Sequence, residues 1–132
     1  MKRALIGFTL SASAMTVFSV GCTSNPTVTN PDDIVFPDSK VSYQAHVDPF
    51  LTLRCGGPCH AGSNPAGGID LTSYPNLFFD RPNLVVASFP DESLLCQVLE
   101  GIIGHPPGEL QTIPFNQVRG VRTWVAEGAT NN

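Results

Sequence analysis

The chain has 132 residues, 42% of them hydrophobic and 14% charged, the profile of one small globular domain rather than two. Its formal charge is −4, and beyond residue 21 five cations (Lys40, Arg54, Arg81, Arg119 and Arg122) face eleven carboxylates. That balance excludes a nucleic-acid binder, whose affinity rests on neutralising phosphates with Lys and Arg, and a charged partner is expected to be basic.

Met1, Lys2 and Arg3 precede an apolar run over residues 4–20, shorter than a comfortable membrane span and built like a secretion signal. The run closes on Phe18-Ser19-Val20-Gly21-Cys22, which resembles a bacterial lipobox. The resemblance implies cleavage before Cys22 and lipidation of its sulfur, so that an exported protein is anchored to a bacterial membrane by its acyl chains; plain secretion is the alternative. Thr23 is not the Asp associated with inner-membrane retention, which points to the outer membrane. The expected organisation is a signal peptide over 1–21, a flexible tether over 22–40, a domain over 41–129 and a disordered tail over 130–132. The tether reading rests on its Thr, Ser, Asn, Pro and Asp content, with Ile34-Val35-Phe36 its one apolar cluster.

Within the domain the helix signals are few. Asp48-Pro49 reads as an N-cap with proline at the first helical position, followed by an apolar face of Phe50, Leu51 and Leu53 that runs into Cys55. Pro90-Asp91-Glu92-Ser93 opens a second helix with Leu94, Leu95, Val98, Leu99 and Ile102 on one side, stopped by Gly101 and Gly104. A third begins near Pro114, carries Phe115, Val118, Val121 and Val125 with Trp124 beside them, and ends at Gly128. No sustained alternation predicts strands, so the fold class is all-α. Residues 56–89 read as loop with helical turns around 73–79, a length that suits a segment wrapped around something.

The chemistry centres on Arg54-Cys55-Gly56-Gly57-Pro58-Cys59-His60. Two thiols with a histidine directly after the second are what covalent haem attachment requires: the sulfurs add to the two vinyl groups and the imidazole reaches the iron. The usual spacing is C-x-x-C-H, and this chain has one residue more. A Gly-Gly-Pro insert allows the backbone to bulge so that both sulfurs still reach.

Residues 48–60, Gly67-Gly68-Ile69-Asp70-Leu71-Thr72-Ser73-Tyr74, Val85-Val86 followed by residues 90–95, Gly104-His105-Pro106-Pro107, and residues 113–128 resemble, in order, pieces of the small bacterial monohaem c-type cytochrome domains. Those pair R-C-x-x-C-H with a G-G-L-D-L-x-S-Y loop and a last helix ending W-I-x-x-G-A, where this chain has Trp124-Val125-Ala126-Glu127-Gly128-Ala129. The resemblance implies a small cytochrome c-like fold, with terminal helices crossing beside one covalent haem c and Gly120 permitting their close approach. It further implies thioethers from Cys55 and Cys59 and proximal ligation by His60. Many relatives take their sixth ligand from a methionine just before a Pro-Pro pair. Met1 and Met15 both fall in the signal, and His105 occupies that place, so the axial ligands expected at the iron are His60 and His105.

The function this implies is single-electron carriage at the outer face of a bacterial membrane, with redox proteins as partners and no substrate turnover. Oligomeric state stays open. A haem-free lipoprotein used for binding is the alternative, with Cys55 and Cys59 in a disulfide or a zinc site drawing on Cys96 and the histidines. A haem protein with an open sixth site, peroxidase-like or gas-sensing, is a third. Cys96 is otherwise expected as a partly buried side chain off the apolar face of its helix, His46 as a surface residue, and Trp124 and the phenylalanines as core or haem-pocket packing. No G-x-S-x-G, phosphate loop or H-E-x-x-H is present.

Overall fold

In the computed structural model, which describes residues 27–57, 59–105 and 113–132, every regular element is helical. The expected signal peptide, the lipobox and Cys22 lie outside the described residues, as do Pro58, Pro106 and Pro107. No helix among the described residues is long and apolar enough to cross a membrane.

The first helical stretch starts earlier than Asp48-Pro49 predicts. Ser42 is extended (φ −84°, ψ 136°), and its Oγ accepts the Ala45 amide at 3.1 Å, satisfying one of the donors that a helix start leaves open. A π-turn, Tyr43–Val47, leads into α1, Asp48–Leu51, and a second π-turn, Thr52–Gly56. Asp48 is itself helical (φ −59°, ψ −52°) and so is not the cap. Pro49 is tolerated where the hydrogen-bond register changes, because that is where an amide donor can be spared. Tyr43, Val47, Phe50 and Leu51 form the buried face.

After a long loop come a 3₁₀ turn at Ala66–Gly68, the short α2 (Asn76–Phe79) and a 3₁₀ turn at Pro90–Glu92. Helices α3 (Leu94–Leu99) and α4 (Phe115–Ala126) complete the set. The helix expected to run unbroken from Pro90 is interrupted at Ser93, which is extended. Its buried Oγ accepts the Val86 amide at 2.8 Å and donates to the Phe89 carbonyl at 3.0 Å, tying the break to the loop before it. Gly101, at φ +72°, closes α3: its amide bonds to Val98 and the Ile102 amide to Gln97, a left-handed stop that suits glycine. Ile102 is thereby turned outward to solvent, off the expected apolar face. Cys96 is fully buried rather than partly so, because the inward face of this short helix is Leu95, Cys96 and Leu99.

Helix α4 packs on α3, on the Tyr43–Val47 turn and on the Pro90–Glu92 turn. Val121, Trp124 and Val125 are fully buried, whereas Phe115, expected on the same face, is 79% exposed because the first turn of α4 projects past the core. Trp124 sits among aromatics, 5.7 Å from Tyr43 and 6.5 Å from Tyr74 between ring centroids, and its Nε1 donates to the Thr130 carbonyl at 3.0 Å.

Two expected boundaries are corrected. Residues 27–40 are docked on the domain instead of forming a tether: Ile34 and Phe36 are 3% and 6% exposed and belong to the core. Val35 between them points outward, a short alternation that buries every second side chain. Gln117, fully buried on α4, donates from Nε2 to the carbonyls of Pro31 (2.7 Å) and Ile34 (3.1 Å). Glu127 accepts the amides of Lys40 and Val41 at 2.7 and 2.9 Å. Residues 130–132, expected as a disordered tail, are also held, since Asn132 accepts from the Ser42 hydroxyl at 2.6 Å and from the Tyr43 and Gln44 amides at 2.9 and 3.0 Å. Gly120 does allow a close approach, but of a different kind from the expected helix crossing: the Phe36 ring lies against it.

Candidate functional site

The motif begins where the Thr52–Gly56 π-turn ends. The Gly57 amide bonds to the Thr52 carbonyl at 3.2 Å, and the His60 amide to the carbonyls of Cys55 (3.0 Å) and Gly56 (2.8 Å). Both Gly57 to Thr52 and His60 to Cys55 are five-residue returns, one residue wider than an α-helical turn, and single π-turns of this kind recur at functional sites. The additional residue between the cysteines is accommodated in this way: His60 comes back over Cys55 through five residues instead of four. The far side of the turn is fastened by bonds from the Ala66 amide to the Cys59 carbonyl (2.7 Å) and from the Leu71 amide to the His60 carbonyl (2.9 Å).

His60 Nδ1 lies 3.1 Å from the Ile69 carbonyl oxygen. A carbonyl only accepts, so Nδ1 carries the proton and Nε2 keeps its lone pair, the state in which an imidazole binds a metal and the usual outer-sphere support for one. Ile69 is positioned by the loop that follows it. Asp70 accepts from the Thr72 hydroxyl (2.6 Å) and amide (2.8 Å), and its own amide donates to Asp80 at 2.9 Å. Those Thr72 hydrogen bonds, the hydroxyl's first, hold the Asp70 carboxyl below its ordinary range.

His105 faces His60 with ring centroids 5.9 Å apart and planes inclined by 43°. Its Nδ1 is buried and has no hydrogen-bond partner. Both rings, Arg54 and both cysteines line one cavity of about 140 Å³ whose remaining wall is aliphatic, including Leu71, Leu84 and Val98. An adjoining cleft of about 430 Å³ shares Cys59, His60 and His105 with it and has Arg81 on its rim. Cys55 is half-buried; Cys59 is an exposed free thiol. The motif residues and His105, 45 positions beyond His60 in the chain, are thus brought together.

Arg54 has a side chain 13% exposed, and its Nη2 is bonded to Asp32 and lies 3.5 Å from Gln117 Oε1. Its Nε is buried without a partner. The Arg54 and His105 nitrogens are the buried, unpartnered side-chain polar atoms found among the described residues, and both belong to residues of the cavity wall. An orphaned buried donor costs about 1–3 kcal/mol, which the core elsewhere avoids.

No family model, curated protein or solved structure matches this chain. Two metal–imidazole bonds of about 2.0–2.1 Å and the radii of two rings give a centroid separation of about 6.4 Å, roughly half an ångström wider than that of His60 and His105. This cavity alone is smaller than the roughly 300–1,000 Å³ of cofactor pockets, and with the adjoining cleft it enters that range. The donor set, two thiols beside one imidazole with a second imidazole opposite, fits haem c. Among the described residues no three His, Cys, Asp or Glu side chains converge as a zinc ion held by protein alone would need. Cys96 does not line the cavity, and burial, with the Glu100 charge adding to it, pushes its thiol up to about 12. His46 is turned elsewhere: its Nδ1 accepts the Ser42 amide at 3.1 Å and its ring lies 5.8 Å from that of Phe36. Trp124 lies in the aromatic cluster and not in the cavity wall.

Arg54 stands in the motif, but nothing in the sequence assigns it a partner. The signal that bears on it is Asn30-Pro31-Asp32, an Asx-capped turn in which Asn30 Oδ1 accepts the Asp32 amide at 3.0 Å and so places the Asp32 carboxylate over the guanidinium.

Proposed function

We propose that this domain holds one covalent haem c and carries single electrons, and that the chain is an exported lipoprotein anchored through Cys22, exchanging electrons with redox proteins near a bacterial membrane. The observation that carries the reading is the pair of imidazoles facing each other across an apolar cavity edged by Cys55 and Cys59, with the His60 tautomer already set by Ile69.

When bound, the haem supplies a one-electron iron couple. The chain's residues do the rest. Cys55 and Cys59 would hold the porphyrin edge as thioethers. His60 would ligate through Nε2, its Nδ1 proton retained by Ile69, and His105 would supply a second imidazole. Leu71, Leu84, Val98 and their aliphatic neighbours would shield a bound haem from water, and the cleft beside Arg81 would give electron partners access to it. A thioether ligand raises the potential of a c-type haem, so a pair of histidines should set this one below His/Met relatives. A filled sixth position suits electron transfer rather than activation of oxygen or peroxide, so no substrate is assigned.

The test is intact mass with a pyridine haemochrome spectrum, on protein exported in a host equipped for haem attachment. A mass raised by one haem, with both vinyls saturated, is expected. An apo mass two protons light would mark a Cys55–Cys59 disulfide and overturn the reading in favour of a binding lipoprotein. His105→Ala should convert a six-coordinate ferrous form into one that binds carbon monoxide readily; an unchanged spectrum would remove His105 as the ligand.

A further inference from the structure

Arg54 lines the cavity beside aliphatic residues and the two histidines. A guanidinium offers five donors in a planar fork, and here the bonds are confined to Nη2, which meets Asp32 and Gln117. Asp32 is a largely exposed carboxylate on the outer side, whereas Arg54 itself is mostly withdrawn from solvent. The cation is thus anchored from outside by one carboxylate, with its Nε left buried and unpaired. A buried donor with no acceptor is destabilising unless the group that fills the neighbouring space provides one. The acceptor that best suits a guanidinium edge is a planar carboxylate.

We infer that Arg54 is a carboxylate-binding residue of this cavity, donating from its unpaired edge to a propionate of the haem while Asp32 and Gln117 hold the guanidinium in place. The inference rests on the proposed haem. It gives Arg54 a role separate from those of the neighbouring cysteine and histidine: it positions the macrocycle by its acidic edge and places a positive charge beside the iron couple. The other charged and titratable groups facing this region are Asp32, Cys55, Cys59, His60 and His105, with Arg81 on the rim of the cleft.

The experiment is resonance Raman spectroscopy on purified holoprotein, comparing the parent chain with Arg54→Gln, Arg54→Lys and Asp32→Asn after intact mass has established haem loading for each. In Arg54→Gln the propionate bending modes should move to lower frequency and the midpoint potential should fall, with the spin- and ligation-marker bands unchanged. Arg54→Lys should restore part of the potential, because it keeps the charge, but not the bending frequency. Asp32→Asn leaves Arg54 in place and should strengthen its bond to the propionate, moving the same modes upward; it supplies the answer if Arg54→Gln fails to fold. Propionate modes that stay put in the loaded variants overturn the inference while leaving the electron-carrier reading standing. A parent chain that carries no haem overturns both.

Discussion

Gly120 faces the Phe36 ring so closely that an added Cβ would come within 2.1 Å of its Cγ and Cδ1. Replacing a helical glycine with alanine ordinarily gains up to about 1 kcal/mol. Here overpacking wins, because Phe36 is buried and the overlap exceeds what a rotamer change absorbs, so Gly120→Ala should lower stability by about 1–3 kcal/mol net. Urea unfolding should show a lower midpoint at unchanged slope, and adding Phe36→Ala should relieve the clash, giving a double variant less destabilised than the two single effects combined. Cys96 makes a second prediction. Its thiol is held from an ordinary 9.0 up to about 12 by burial, and burial with the Asp48 carboxylate pushes the Tyr43 phenol up as well. Both groups are favoured neutral in the folded state, so their contribution is complete below the unfolded thiol's pKa and is lost as pH rises from about 9 toward 12. Urea midpoints should fall across that range, less steeply in Cys96→Val, and iodoacetamide should leave Cys96 unmodified in the native protein at about pH 8. At this scale the sequence names Cys55, Cys59, His60 and His105 together, and the structure brings all four to one cavity wall, although it says nothing of their chemistry there. The carbonyl that orients His60 and the Asp32 partner of Arg54 were not legible, since both depend on chain returns that no spacing rule encodes.

The π-turns are where hydrogen-bond geometry substitutes for sequence length. Gly57 has open space around it and closes a five-residue return to Thr52. Deleting Gly57 would restore the two-residue spacing and an α-helical return to Cys55. On the proposed haem reading, the shortened protein should attach haem too, and in a host whose attachment system prefers C-x-x-C-H its holo fraction, read as haem stain per unit protein, should rise above that of the parent; loss of stain would show that the wider turn is required. Ser93 decides a second element. Removing the buried Ser93 hydroxyl in Ser93→Ala leaves the half-buried Val86 amide without its acceptor, and should cost about 1–2 kcal/mol by thermal or urea unfolding. Helix existence was readable from apolar periodicity, and the C-terminal stop at Gly101 from its residue type. Starts were harder. Asp48-Pro49 has the composition of a cap, yet Ser42 takes that role, because the buried face extends back to Tyr43 and Val47, and tertiary burial overrides the local signal. Likewise, Pro90-Asp91-Glu92-Ser93 has the chemistry of one helix start, but Ser93 is needed by the Val86–Phe89 loop.

For the molecule as a whole, the largest departure from the sequence reading is the segment before Lys40. Its polar composition reads as a solvated strip, and composition averages away the two residues that matter, Ile34 and Phe36. A chain beginning at Val41 should lose their burial and the partners of Gln117, melting at lower temperature with a loss of about 3 kcal/mol or more, whereas one beginning at Thr27 should melt like the full chain. Equal melting of the two would return residues 27–40 to the status of a spacer. On the proposed lipid anchor at Cys22, the docked segment would also limit how far the domain can stand from a bilayer. With residues 27–40 docked, only the five residue steps from Cys22 to Thr27 would separate a lipid from the domain, and at about 3.3–3.6 Å each they span roughly 17 Å at most. A domain so tethered by a lipid on Cys22 would search for partners in two dimensions, within a shell one small protein thick. It would serve electron donors and acceptors seated at the same membrane face, and would be too short-armed to ferry charge across a compartment.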